Sequence, residues 1–168
     1  MEGNRRFGMI QSCSNSENGI CSSGTECEVV ECEPLADGRY FLEVVGRRRF
    51  DVLETWEQDG YRIAKAKYFQ DQPVQDKQEL ASIQKHSQLI KALERSYKAR
   101  GLFHRQSVSR WDISDGTSGP DVEKLSFLAC SLLINPDGSA ARRKYLDCRS
   151  TLQRMEWILQ SLPRQPHS

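Results

Sequence analysis

The sequence predicts an α+β fold in which an antiparallel β-meander precedes a helical bundle. Three observations carry this. Asp37-Gly38 and Asp59-Gly60 each lie between strand-like runs, and Asp-Gly marks a hairpin because both residues tolerate positive φ. Beyond residue 74 the apolar spacing changes from alternation to steps of three and four, which is helical. Strand signals and helix signals do not interleave, and segregated elements imply α+β packing, not a wound parallel sheet.

Taken in order, "RRFGMIQ" is a short apolar run, and "SNSENGICSSG" is a loop rich in Ser, Asn and Gly. "TECEVVECEPL" meets the first Asp-Gly turn and "YFLEVVG" returns from it. "RFDVLETWEQ" and "YRIAKAKYF" flank the second. From Gln75 to Arg100, Leu80, Ile83, Ile90, Leu93 and Tyr97 form the stripe of an amphipathic helix that Gly101 is placed to end. Residues 102–119 read as a connection. Pro120 suits the first position of a second helix, with Asp121 and Glu123 against its dipole. Asn135-Pro136-Asp137-Gly138 breaks that helix. A last helix over 139–162 carries Tyr145, Cys148, Leu152, Met155, Leu159 and Leu162 on one seam. The expected organisation is a β-rich part over 1–74, a helical part over 75–162, and a frayed tail over 163–168.

Composition narrows the function. Lys+Arg 24 against Asp+Glu 23 leaves a formal charge of +1, which argues against a nucleic-acid partner because phosphate neutralisation needs a basic excess. No stretch approaches the roughly 18 apolar residues of a membrane span, and the N-terminus has no apolar core of a secretory signal. The expected setting is therefore intracellular, cytoplasm or nucleus, where thiols stay reduced. Cys13, Cys21, Cys27 and Cys32 are separated by seven, five and four residues. No C-x-x-C pair aims two thiolates at one ion, so scattered free thiols are expected and no metal site. His86, His104 and His167 stand at no ligand or triad spacing. No catalytic residue and no cofactor is indicated.

Residues 24–74, "GTECEVVECEPLADGRYFLEVVGRRRFDVLETWEQDGYRIAKAKYFQDQPV", carry G-T-x-x-x-V, then L-x-D-G-R-Y, G-x-R-R-F-x-V-L, D-G-Y and an acidic D-x-P-V exit. Residues 127–162 carry L-x-x-x-S-x-x-x-R-x-x-x-I. In this order and spacing they resemble the LON N-terminal, or LON substrate-binding, domain family. The opening "MEGNRRFGMI" is similar to the RING-and-LON proteins of eukaryotes. The family's L-P-L-F-P and F-E-P-R-Y segments have no counterpart here, so its PUA-like β-barrel is expected to be incomplete on the N-terminal side, with an edge unpaired.

The resemblance implies a non-enzymatic recognition domain whose partners are protein clients or unfolded segments. A ubiquitin-conjugating enzyme would be engaged only through an upstream RING. The phosphate-cradling G-x-x-x-x-G-K-[ST] and the RING cysteine pattern are both absent from these 168 residues.

Five residues are candidates for partner contact. Arg47, Arg48 and Arg49 could grip an anion, and the barrel's likeness to RNA-binding PUA domains gives the alternative of an RNA-binding module. Against this, strand alternation puts Arg47 and Arg49 on one face and Arg48 on the other, unless a bulge intervenes. The arginines would then pair with Glu26, Glu28, Glu31 and Glu43. Trp56 and Tyr61 bracket the second turn, either as an exposed contact site or as a cross-strand pair that pins the hairpin.

Overall fold

The computed structural model describes residues 5–99, 120–131 and 139–162, without the side chains of residues 98, 120, 121 and 139–141. Gly101, His104, Trp111, the Asn135–Gly138 break, His167 and the tail lie outside them. Glu94 and Lys98 stand at the i,i+4 spacing of a helix ion pair, and the Lys98 side chain also lies outside the described residues. The chain forms two compact units, residues 1–70 and 71–168.

The first unit is a four-stranded antiparallel sheet in the order β1 (Arg6–Ser12), β2 (Ile20–Pro34), β3 (Tyr40–Gln58) and β4 (Tyr61–Phe69). The turn chemistry is that of the sequence. Asp59 and Gly60 both take positive φ, 53° and 78°, which makes the two-residue hairpin that matches strand twist. At the first turn only Gly38 is left-handed, at 85°. Asp37 instead accepts hydrogen bonds from the Arg39 backbone N–H and Nε.

The sheet's core is small: Cys21, Cys27, Val29 and Phe50 are buried. Two glycines make room for the Phe50 ring. A Cβ on Gly24 would lie 2.7 Å from Phe50 Cζ and 2.8 Å from both Ile10 Cγ1 and the Met9 carbonyl, and one on Gly8 would lie 3.0 Å from Phe50 Cζ.

The second unit is helical. α1 (Lys77–Ala99) is capped by Asp76, whose carboxylate accepts from the Glu79 N–H at 2.8 Å. α2 (Pro120–Ala129) starts at the proline, as the first-position preference predicts. α1, α2 and α4 (Thr151–Ser161) pack on one another. Their core is Ile83, Ile90, Val122, Leu125, Ala129, Cys130, Met155 and Ile158, joined by Tyr145 from α3 (Ser139–Asp147).

The expected single helix over 139–162 is two. Cys148, Arg149 and Ser150 leave the helix because their polar groups have other partners. Ser150 is extended, with φ −123° and ψ 118°, and its hydroxyl caps α4 through the Gln153 N–H at 3.2 Å. The Cys148 carbonyl accepts from Arg154 Nη1 at 2.9 Å, and the Arg149 carbonyl from the Gln72 N–H at 2.8 Å. The seam is corrected accordingly: Leu152, Leu159 and Leu162 only flank the core, and Ile158, which the seam omitted, is fully buried.

Candidate functional site

Three consecutive arginines on β3 meet a β-bulge. The register runs Gly46↔Cys27 and then Arg48↔Glu26, so Arg47 is the extra residue. A bulge breaks alternation and re-aims its side chain. Arg47 therefore joins Arg48, and Arg49 alone points to the opposite face. This overturns the expected grouping of Arg47 with Arg49.

The shared face is acidic on β2, and the arginines are matched to it. Arg48 grips Glu26 with two bonds, Nε to Oε2 at 2.9 Å and Nη2 to Oε1 at 3.0 Å. Its guanidinium stacks 3.8 Å from the centroid of the Tyr68 ring. The Tyr68 hydroxyl donates to Glu26 Oε1 at 2.8 Å, and Arg6 Nη1 lies 3.6 Å from Oε2. The Arg48 and Tyr68 hydrogen bonds, with Arg6 behind them, hold the Glu26 carboxyl down at about 2. The same bond to Glu26 raises the Tyr68 phenol. Arg47 Nε donates to Glu28 Oε2 at 2.9 Å, and Arg6 Nη2 approaches that oxygen at 3.4 Å. On the other face Arg49 is buried, its guanidinium 4.7 Å from the Phe69 ring centroid.

Trp56 and Tyr61 are not cross-strand partners. Trp56 stands opposite Ile63, and Tyr61 opposite Gln58. The tight two-residue turn fixes that register, so the two aromatics are diagonal neighbours on one face, with Gln58 and Ile63 at the other corners. Trp56 Nε1 donates to Gln58 Oε1 at 3.5 Å. All three apolar side chains meet solvent: Trp56 is 46% exposed, Tyr61 72% and Ile63 36%. β4 runs without a bulge, so this patch shares its face with Arg49, about 20 Å away along the strand. Arg47 and Arg48 are on the reverse. The five candidate residues therefore do not form one site.

A profile of the substrate-binding domain of the ATP-dependent protease La (LON) matches residues 1–137. The chain belongs to the LON substrate-binding domain family. Its fold is similar to that of the N-terminal domain of the Mycobacterium avium complex Lon protease, with a TM-score of 0.59 at 14% identity over 95% of this chain and 91% of that one. The Lon N-terminal domain protein from Xanthomonas campestris matches with a TM-score of 0.56 at 16% identity, covering the same shares. The antiparallel sheet followed by helices is thus the arrangement of Lon N-terminal domains. In this LON domain the D-x-P-V exit and the S-x-x-x-R-x-x-x-I run are joined by a buried network. Arg154 is fully buried; it donates to both carboxylate oxygens of Asp71, and its Nε donates to Ser126 Oγ at 2.7 Å. Its guanidinium lies 3.9 Å from the Phe127 ring centroid. Thr151 Oγ1 also donates to Asp71.

Sequence reasoning read both runs as family markers and missed that they meet. No sequence signal announced it, because Arg154 lies off the Tyr145–Leu162 stripe that the spacing defines and is buried only because α4 turns Arg154, Met155 and Ile158 inward.

Proposed function

We propose that this LON domain is a non-enzymatic recognition module that binds protein clients or unfolded segments through the tip of the β3–β4 hairpin. One observation carries the reading. Trp56, Tyr61 and Ile63 form a solvent-exposed apolar cluster on one face of a rigid two-residue hairpin. Trp and Tyr dominate contact energy where proteins meet, because they bury much area at little entropic cost. Gln58, at the remaining corner, offers a side-chain amide that can bond to an incoming backbone. Family membership supports the same role. The similarity of "MEGNRRFGMI" to RING-and-LON proteins supports a setting in a ubiquitin-ligase-type protein of the cytoplasm or nucleus, with a conjugating enzyme engaged by another domain.

The arginine run adds little to an RNA-binding reading. Arg47 and Arg48 already face carboxylates at hydrogen-bond distance, and a phosphate would have to displace them. Arg49 is buried.

The test is fluorescence anisotropy of a permanently unfolded protein, reduced and carboxymethylated lactalbumin, against the full chain. Trp56→Ala with Tyr61→Ala should weaken binding by about tenfold or more, since two hot-spot losses of this type exceed about 1.4 kcal/mol. Arg47→Gln with Arg48→Gln should leave it unchanged. Equal binding by the aromatic double variant and the wild type would remove the reading. A labelled single-stranded RNA that binds at physiological salt and is lost with the arginines would replace it.

A further inference from the structure

Asn18-Gly19 is the one Asn-Gly pair of the sequence, and it lies in the connection between β1 and β2. An asparagine side-chain amide is chemically labile, most of all before glycine, whose backbone nitrogen no side chain shields. The other asparagines are less exposed to this chemistry. Asn15 precedes Ser16, Asn4 precedes Arg5, and Asn135 precedes Pro136, whose nitrogen carries no hydrogen. Asn18 and Gly19 are both solvent-exposed, so water reaches them. A Cβ built on Gly19 would meet nothing within 4 Å, so no neighbouring group crowds that side of the pair.

The native turn opposes the reaction. The Gly19 N–H donates to the Ser16 carbonyl at 3.0 Å, and the Gly19 carbonyl accepts from the Cys13 N–H at 2.9 Å. Ser16 fastens the same turn through its hydroxyl, which lies 2.6 Å from the Ile20 carbonyl and 3.1 Å from that of Cys13. Arg62 Nη1 donates to the Asn18 carbonyl at 3.3 Å. A nitrogen held by its own proton in this way reaches the Asn18 side chain only after the turn opens, as in amide exchange. We propose that Asn18 is a self-modification site gated by this turn, deamidating when the Gly19–Ser16 bond is released.

The step needs only water. The Gly19 nitrogen attacks Asn18 Cγ, and the new N–C bond closes a cyclic imide. The Cγ–Nδ2 bond breaks, and Nδ2 leaves as ammonia with the proton lost by the Gly19 nitrogen. Water then opens the ring at either carbonyl, giving aspartate or isoaspartate. Either product adds a negative charge to a loop whose backbone Arg62 already grips. Isoaspartate also lengthens the main chain just ahead of Gly19, and so displaces the N–H that Ser16 holds.

Nothing in this depends on the Trp56–Tyr61 tip, so either reading can fail without the other. The experiment is peptide mapping by mass spectrometry, with enzymatic labelling of isoaspartate, on the full chain incubated at mildly alkaline pH, folded and in urea. Aspartate and isoaspartate should accumulate at position 18 ahead of position 15. They should form about tenfold or more faster in urea, because two backbone hydrogen bonds no longer have to open first. Ser16→Ala should move the folded rate towards the urea rate and leave the rate in urea unchanged. If that variant does not fold, the wild-type comparison decides alone. No conversion at 18, equally early conversion at 15, or equal rates folded and in urea would each overturn the inference.

Discussion

Arg154 and Asp71, eighty-three residues apart, form a doubly hydrogen-bonded ion pair in which the arginine has no exposed surface and the carboxylate side chain only 6%. A buried charge is tolerated when it is paired and its remaining donors are occupied. Here Ser126 Oγ, the Cys148 carbonyl and the Phe127 ring complete the shell around the guanidinium.

Breaking one half of that pair should therefore cost more than removing both. Arg154→Met leaves Asp71 buried without its cation and should destabilise by about 3–5 kcal/mol. Adding Asp71→Asn should restore part of the loss. Urea unfolding of the wild type, the two single variants and the double variant measures the coupling. Additive losses would mean that the pair is not coupled.

The Glu26 carboxyl, at about 2 against an ordinary 4.5, makes the sheet acid-sensitive. Its pKa is depressed in the fold, so its contribution is fully present above about pH 4.5. That contribution is lost progressively as the pH falls towards 2. The wild-type urea midpoint should drop across that window, and Glu26→Gln should flatten the drop while lowering the midpoint near pH 7.

Two glycine substitutions should fail for different reasons. Gly24→Ala meets the Phe50 ring and the Met9 carbonyl inside 3 Å; overpacking of this kind costs about 1–3 kcal/mol. Gly60→Ala has open space around its Cβ but sits at φ 78°, a left-handed conformation that costs about 1–2 kcal/mol for other residues. Phe50→Leu should relieve only the ring's share of the first clash, because the Met9 carbonyl stays 2.8 Å from the added Cβ, and should leave the second variant unchanged. Thermal melts of the four proteins test this.

In the helical unit Ile158→Ala should destabilise by about 2–5 kcal/mol, because Ile158 is fully buried. Leu152→Ala, at a flanking position, should cost less than half of that. Ser150→Ala should cost about 1 kcal/mol by uncapping α4. Equal losses at 152 and 158 would contradict the packing described.

These features differ in how far the sequence announces them. The Asp59-Gly60 hairpin and the start of α2 at Pro120 are local, and their residues declare them. The Arg47 bulge is not local. It exists only in the register between β2 and β3, and nothing within "GRRRF" says which arginine is extra. The α3–α4 break was masked because the stripe of Tyr145, Cys148, Leu152 and Met155 keeps helical spacing through it. The carbonyls that stop the helix are taken by Arg154 and by the Gln72 N–H, which lie further along the chain and far back in it. The aromatic tip was legible as residues, while its geometry as a diagonal pair depended on the turn type.

The arginine run also makes its joint tolerant of error. With Gly46 held opposite Cys27 and Arg49 opposite Thr25, the extra residue could be Arg47 or Arg48, and an arginine would face Glu26 in either case. Two identical side chains in succession, Arg47 and Arg48, make this one-residue slip chemically degenerate. Replacing either of them would break that degeneracy and leave a single permitted alignment. The run thus works as a buffer for register, where a mixed sequence would demand one fixed alignment.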